Sequence, residues 1–328
     1  MKQIEQASDL REFLTAQRLF VVHAVDGWVD PISHGKFDFF TCLGPIMVKE
    51  RVASVVVRLG SPISNAMLQQ RHLHVIVGDA PQLRPNLLHV APAYIWGFWY
   101  VDERGINANS SLAQQTFDPE GVDQSAAEYF FNGVSSWMLE NNISRLSQAE
   151  RAPQALAPAR SVVFCQEVES RDPQEHYLTT DQMIRNAARA AGGGIVYVKP
   201  HPMQSSGIRT RLERLASADP NIRISDASVH DLIGVSDWVI TQNSAAGFEA
   251  LMQKKKIITC GRADYHHATV VARSDEELRR ALRDGAGCLD GFEYEKYFYW
   301  FLGQNCLEPQ KEGFAEAFWN RMRDKCAI

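Results

Sequence analysis

The stretch DWVITQNSAAGFEALMQKKKIITCG, residues 237–261, holds two apolar, β-branched runs separated by a helical pattern. DWVITQ (237–242) and KKIITCG (255–261) read as strands, and SAAGFEALMQ (244–253) reads as the helix between them. Strand, helix and strand in so few residues make a parallel crossover. The same alternation extends on both sides. SVVFCQ (161–166), IVYVK (195–199) and IRIS (222–225) are further strands. TTDQMIRNAARAAGGG (179–194) opens on a Thr/Asp cap and ends at glycine, as a helix does. GIRTRLERLASADP (207–220), VHDLIGVS (229–236) and DEELRRALRD (275–284) complete the helices, and the order predicts a doubly wound parallel sheet.

Upstream, LFVVHAV (19–25) and HLHVIVGD (72–79) read as buried parallel strands, followed by LLHVAP (87–92) and YIWGFWYVD (94–102). Residues 123–142 place Ala127, Phe130, Phe131, Val134, Trp137 and Met138 on one helical face. Asn141 to Arg160 is polar and rich in Ala and Pro, and reads as an inter-domain connection. The expected fold class is α/β: two Rossmann-like domains facing a cleft, 1–150 and 151–328. Two aromatic helical patterns, 294–305 and 312–325, need a partner surface, and the first domain is the expected one. The aromatic run 292–301 either docks a partner or makes an inter-domain contact.

The chain of 328 residues is 45% hydrophobic and 22% charged, enough to fill two cores. Its net charge of −5 argues against general nucleic-acid binding. The start, MKQIEQASDLREF, lacks the apolar segment of a signal peptide, and no apolar run reaches the roughly 18 residues of a membrane span. The six cysteines are scattered with no C-x-x-C, so reduced thiols and a cytoplasmic location are expected.

Ligands of open parallel sheets bind at the carboxyl ends of the strands. Three features fall there: Gln166 with Glu167, Glu169 and Asp172 behind it; Lys199-Pro-His201-Pro; and Asn243-Ser244 before a helix. Prolines 200 and 202 bar a helix and hold His201 between two stiff φ angles, beside a lysine, which suits an anionic group. Asn243, Ser244 and the following small residues suit a phosphate at a helix start, or simply cap the helix, with Gly247 allowing tight packing on the strand. Glu249 fits either a capping acid or a partner for a ligand hydroxyl. His266 and His267 have no acid or cysteine at a helpful spacing, so no metal site is expected. No G-x-G-x-x-G or Walker sequence occurs, which disfavours a dehydrogenase or P-loop enzyme.

KPHP followed about forty residues later by DWVITQNSAAGFEALMQKKKIITCG resembles the capsule polysaccharide synthesis family. FWYVDERGINANSSL (98–112) is similar to that family's aromatic-Asp-x-x-Gly stretch. The His-Pro and downstream Ser elements are also similar to those of bacterial sialyltransferases that use CMP-sugars. The resemblance implies a GT-B glycosyltransferase, donor nucleotide in the second domain and acceptor in the first, with members that are retaining β-Kdo transferases. It implies CMP-Kdo as donor, a saccharide or glycolipid acceptor and no further cofactor. His201 and Lys199 would face the CMP phosphate, with Gln166, Asn243, Ser244 and Glu249 on the donor side. Here Phe-Cys-Gln stands where the family has Pro-Leu-Gln, so which acid follows in the nucleophile's place is open: Asp172 first, Glu169 second. Glu103, with Asp102 beside it, is the acid for the acceptor proton. An epimerase or hydrolase of the same fold, or an inactive assembly subunit, is the rival. The inner membrane surface, or contact with an assembly complex, is the alternative to a free cytoplasmic enzyme.

Overall fold

The computed structural model describes residues 1–328 apart from 14–17, 79, 153, 205, 286, 327 and 328. Six strands come first: β1 (Lys2–Ile4), β2 (Leu19–Ala24), β3 (Ala53–Arg58), β4 (Leu73–Val77), β5 (Leu87–Pro92) and β6 (Trp99–Asp102). Six more follow: β7 (Ala159–Phe164), β8 (Val196–Lys199), β9 (Ile222–Ile224), β10 (Ser236–Thr241), β11 (Lys256–Thr259) and β12 (Val270–Val271), with β13 (Cys306–Leu307) last.

They form two sheets, so the fold is α/β with two Rossmann-like units. The first runs β1-β3-β2-β4-β5-β6-β13, parallel up to β5, with β6 and β13 antiparallel at the edge. The second runs β12-β11-β10-β7-β8-β9 and is parallel throughout. Counted from its own first strand, the second sheet has the order 3-2-1-4-5-6, and it reverses between β7 and β10. The central strands are β-branched and buried on both faces, as helix-covered sheets require; β2, for example, is buried at every position. β3 is missing from the strands predicted above, although its three consecutive valines carry the same signal.

The compact units are Met1–Ala93 with Gly97–Gln114 and Leu302–Ile328, and Tyr94–Trp96 with Gln115–Phe301. The expected division at 150 is therefore displaced. The helix Gln124–Glu140 and the polar stretch after it belong to the second unit. That stretch is polar because it supplies partners to buried groups of the second unit. Ser144 donates to Glu249 at 2.8 Å, Gln148 accepts from the Val229 N–H at 2.7 Å, and Arg151 pairs with Asp231 at 2.6 Å.

The two aromatic helices part company. Phe314–Lys325 packs into the first unit, where Phe318 meets Phe20 and Phe39 edge-on at 5.9 and 5.7 Å. Tyr294–Phe298 stays in the second unit, against the expectation that both return to the first. Tyr297, Phe298 and Phe301 are fully buried there, and Phe298 stacks on Phe248 at 5.7 Å. The run 292–301 is a core element of the second unit, so its apolar content reflects internal packing. No helix among the described residues is long and apolar enough to cross a membrane.

The first unit also buries a polar relay across β2 and β4. His74 Nε2 donates to the Gln70 carbonyl at 3.2 Å, which leaves Nδ1 to accept from His23 Nε2 at 3.0 Å. His23 Nδ1 then accepts from the Ser64 hydroxyl at 2.8 Å. One carbonyl thus orders every proton along the relay. All three side chains are inaccessible to solvent.

Candidate active site

The pairing of the second sheet sets its site. Phe164 lies opposite Lys199 and Thr241, and Thr241 lies opposite Thr259. The residues that follow these four emerge at one edge, around the reversal between β7 and β10, where ligands of doubly wound sheets bind. Gln166 is the link between two strand ends. Its Oε1 accepts from the Asn243 N–H at 2.9 Å and from Thr241 Oγ1 at 3.3 Å. Asn243 Nδ2 donates to the Arg262 carbonyl at 3.0 Å and reaches Glu175 Oε2 at 3.4 Å.

Glu175 was not among the acids singled out from the sequence. It is buried, ion-paired with Arg171 at 2.9 Å, and stands beside Asn243. Asp172 is exposed on the same loop. Glu169 is half-buried and accepts from the Thr180 N–H at 2.6 Å, at the start of the helix Thr180–Ala190. Gly261 makes room for this stretch: a Cβ there would lie 3.0 Å from the Glu175 carbonyl oxygen. A glycine just past a strand marks such a close backbone approach.

At the end of β8, Lys199 Nζ donates to the carbonyls of Asp226 and Ala227 at 3.1 and 2.7 Å. Burial holds its pKa below the ordinary lysine value against the pull of Asp226. His201 is fixed by its backbone, whose N–H donates to Gln204 Oε1 at 2.8 Å. Its Nδ1 accepts from the Met203 N–H at 3.3 Å, so the neutral ring carries its proton on Nε2. Burial lowers the His201 pKa, and Glu167 partly offsets this. A cavity of about 450 Å³ opens here, lined by Lys199, His201, Gln204 and Arg209 and on another side by Ser147 and Gln148. Arg209 also pairs with Asp226 of the same lining at 2.9 Å.

The helix after β10 is shorter than the sequence predicts: Ala245–Glu249, then a 3-10 turn at Ala250–Gln253. Ser244 caps it, accepting from the Ala246 N–H at 3.2 Å. Gly247 is packed so closely that a Cβ would sit 2.7 Å from Tyr265 Oη and 2.9 Å from Thr241 Cγ2. Glu249 is fully buried; its carboxylate takes the Ser144 hydroxyl at 2.8 Å and the Arg145 N–H at 2.8 Å. Burial pushes its pKa up to about 7 despite these bonds.

Glu103 lies in the first unit, partly exposed and ion-paired with Lys325. Its neighbour Asp102 is buried and braces the following loop. It accepts from the N–H groups of Arg104, Gly105 and Ser111 at 2.7, 3.1 and 2.9 Å, and from the Ser111 hydroxyl at 2.6 Å. The aromatic-Asp-x-x-Gly pattern is thus a loop brace, in which Gly105 makes room for Asn109: a Cβ at Gly105 would lie 2.9 Å from Asn109 Cβ. His266 and His267 bond to the carbonyls of Ala263 and Gln115 at 3.0 and 2.7 Å. Among the described residues no three His, Cys, Asp or Glu side chains group as metal ligands.

A family model described as capsule polysaccharide biosynthesis protein matches residues 168–281, inside the second unit. The chain resembles that family. Two solved chains of Thermosulfurimonas dismutans KpsC are similar in structure. One, a beta Kdo 2,4 transferase, has a TM-score of 0.53 at 16% identity, covering 86% of this chain and 90% of that one. The other, a beta Kdo 2,7 transferase, has a TM-score of 0.50 at 15% identity, covering 81% and 89%. At these identities the likeness speaks for the fold. No curated protein matches the chain.

Proposed function

We propose that this chain is a glycosyltransferase that moves Kdo from CMP-Kdo, with retention, onto a saccharide or glycolipid acceptor of a bacterial surface polysaccharide. The observation that carries this reading is that the Lys199–His201 cavity and the Gln166–Asn243 bridge follow the carboxyl ends of the neighbouring strands β8 and β7 in a 3-2-1-4-5-6 sheet. On this reading the second unit takes the donor and the first the acceptor. The bond from the anomeric carbon to the phosphate oxygen breaks, and its electron pair goes to CMP. His201 Nε2–H and the Lys199 ammonium stabilise that growing negative charge. Retention needs a carboxylate to trap the sugar cation. Asp172 is exposed enough to do so, while Glu175, ion-paired beside Asn243, is the second choice. Glu103 is the first unit's carboxylate for the acceptor proton. The CMP-sugar is the one small co-substrate required, and the work is done in the cytoplasm on acceptors at the inner membrane surface.

A thermal-shift titration with CMP, UMP, GMP and AMP tests this, because a ligand that binds only the folded chain raises Tm by mass action. Stabilisation by CMP alone, lost in His201→Ala, is the expected result. A response to UMP would replace the donor with a UDP-sugar, and no response to any would favour a non-catalytic assembly subunit.

A further inference from the structure

Residues 142–152 form neither helix nor strand, yet they are clipped to the second unit along their length. Asn142 Oδ1 accepts from the Ser228 hydroxyl at 2.7 Å, and the Ile143 carbonyl accepts from His230 Nε2 at 2.7 Å. Ser144 and Arg145 donate to Glu249, Gln148 accepts from the Val229 N–H, and Arg151 pairs with Asp231. Between these clips, Ser147, Gln148 and Ala149 line the same cavity as Lys199 and His201.

The clips differ in kind. The Arg151–Asp231 pair is partly exposed, and such pairs contribute little. Glu249 is a carboxylate wholly removed from water, and both groups it accepts from belong to this segment. A buried acid is tolerated only while its hydrogen bonds are made. Glu249 also lies five residues after Ser244 on one short helical piece packed against β10 through Gly247. Latch and site are thereby mounted on the same element.

We propose that Glu249 is a positioning residue: it latches the 142–152 strap so that Ser147–Ala149 complete the wall of the nucleotide cavity. The nucleotide part of this rests on the function proposed above; the latch does not.

Glu249→Ala leaves the Ser144 hydroxyl and the Arg145 N–H without an acceptor, whereas Glu249→Gln keeps the volume and one acceptor oxygen. In Glu249→Ala, hydrogen exchange at 143–149 and diethyl pyrocarbonate modification of His201, read by peptide mass, should each rise about tenfold. CMP affinity should weaken by about the same factor, as a higher donor KM with kcat within about twofold, and Glu249→Gln should recover most of the loss. Ser144→Ala removes a single donor and serves in its place if Glu249→Ala does not fold. Unchanged exchange and unchanged His201 modification in a folded variant would overturn the latch. Faster exchange with unchanged His201 modification would overturn the wall. If the wild-type chain binds no nucleotide, the functional reading falls while the exchange and His201 measurements still decide the latch.

Discussion

The two units treat their polar groups differently. Across β2–β4 the first unit buries its polar groups as a closed relay, Ser64 to His23 to His74 to the Gln70 carbonyl, with every proton assigned. Past the ends of β7, β8 and β10 the second unit carries its polar groups out of the sheet, where Gln166 bonds Asn243 and Lys199 and His201 border a cavity. The same histidine chemistry is sealed in one place and presented in the other. Burial and proline placement, not residue type, make the difference. Histidine inside a strand points into a core, and histidine held between two prolines after a strand has left the ladder.

The sharpest way to break this contrast is to exchange the consequences. His23→Ala should lower stability by about 3 kcal/mol, since it opens a cavity and leaves Ser64 and His74 short of partners. It should leave the CMP response in place. His201→Ala should do the reverse. Chemical denaturation followed by nucleotide titration of the folded variants checks both. A His23→Ala protein of wild-type stability would show that the relay is not satisfied as described. Next in size is Gly247→Ala, whose new methyl would meet Tyr265 and Thr241 in a packed position. It should cost about 1–3 kcal/mol, with the loss seen in the second unit.

The pH dependence separates the units by sign. Burial lowers His23 to about 3 and His74 to about 4, with His74, His72 and Arg84 as further unfavourable charges nearby. Unfolded histidine titrates near 6.5, so below that pH the unfolded chain takes up protons that the fold refuses. The first unit therefore loses stability as pH falls from 6.5 towards 3, by up to about 1.4 kcal/mol per pH unit for each proton. Glu249 runs the other way. Its folded value of about 7 lies above the unfolded 4.5, with Ser144 and Arg145 on the strap side and His230 and Asp231 on the adjoining helix. Between 4.5 and 7 the fold keeps a proton that the unfolded chain releases, so this contribution weakens as pH rises through that window. Opening of the strap, which hydrates Glu249, should rise over the same window. Glu249→Gln should flatten that limb alone, measured by exchange at 143–149 from pH 5 to 8.

How much of this was legible follows from period and range. Five strands of the second sheet could be read because each β-branched run ends at a turn former and alternates with a helical pattern, whereas the two-residue β12 is too short to carry a period. The three strand-end features could be found because a parallel sheet delivers its strand ends to one edge. What escaped depends on long-range partners. Residues 141–152 look like a linker because they are polar, and they are polar because Glu249, Ser228 and Asp231, some 80–105 residues away, need what they offer. Tyr294–Phe298 reads as a helix that returns to the first unit, and only Phe248, Phe130 and Phe131 hold it in the second. Glu175 escaped because four acids crowd the loop after Gln166, and only tertiary contact with Asn243 tells one from another.

The smallest expected effect on stability concerns two acids of different units. Glu103 and Asp172 are partly or fully exposed, and the ion pair of Glu103 with Lys325 reaches the surface. Glu103→Gln and Asp172→Asn should each change stability by less than about 0.5 kcal/mol. Asp102→Asn is the control: beside Glu103 in the chain, it holds four donors to a buried carboxylate and should be far more damaging. Because neither exposed acid supports the fold, a loss of sugar transfer of about 100-fold or more in either variant at wild-type Tm would belong to the chemistry. Full transfer in Asp172→Asn, with loss in Glu175→Gln, would move the nucleophile to the buried acid beside Asn243. Transfer retained in Asp172→Asn and in Glu175→Gln would pass the role to Glu169 or Glu167, and transfer retained with each of the four acids replaced in turn would remove the retaining mechanism.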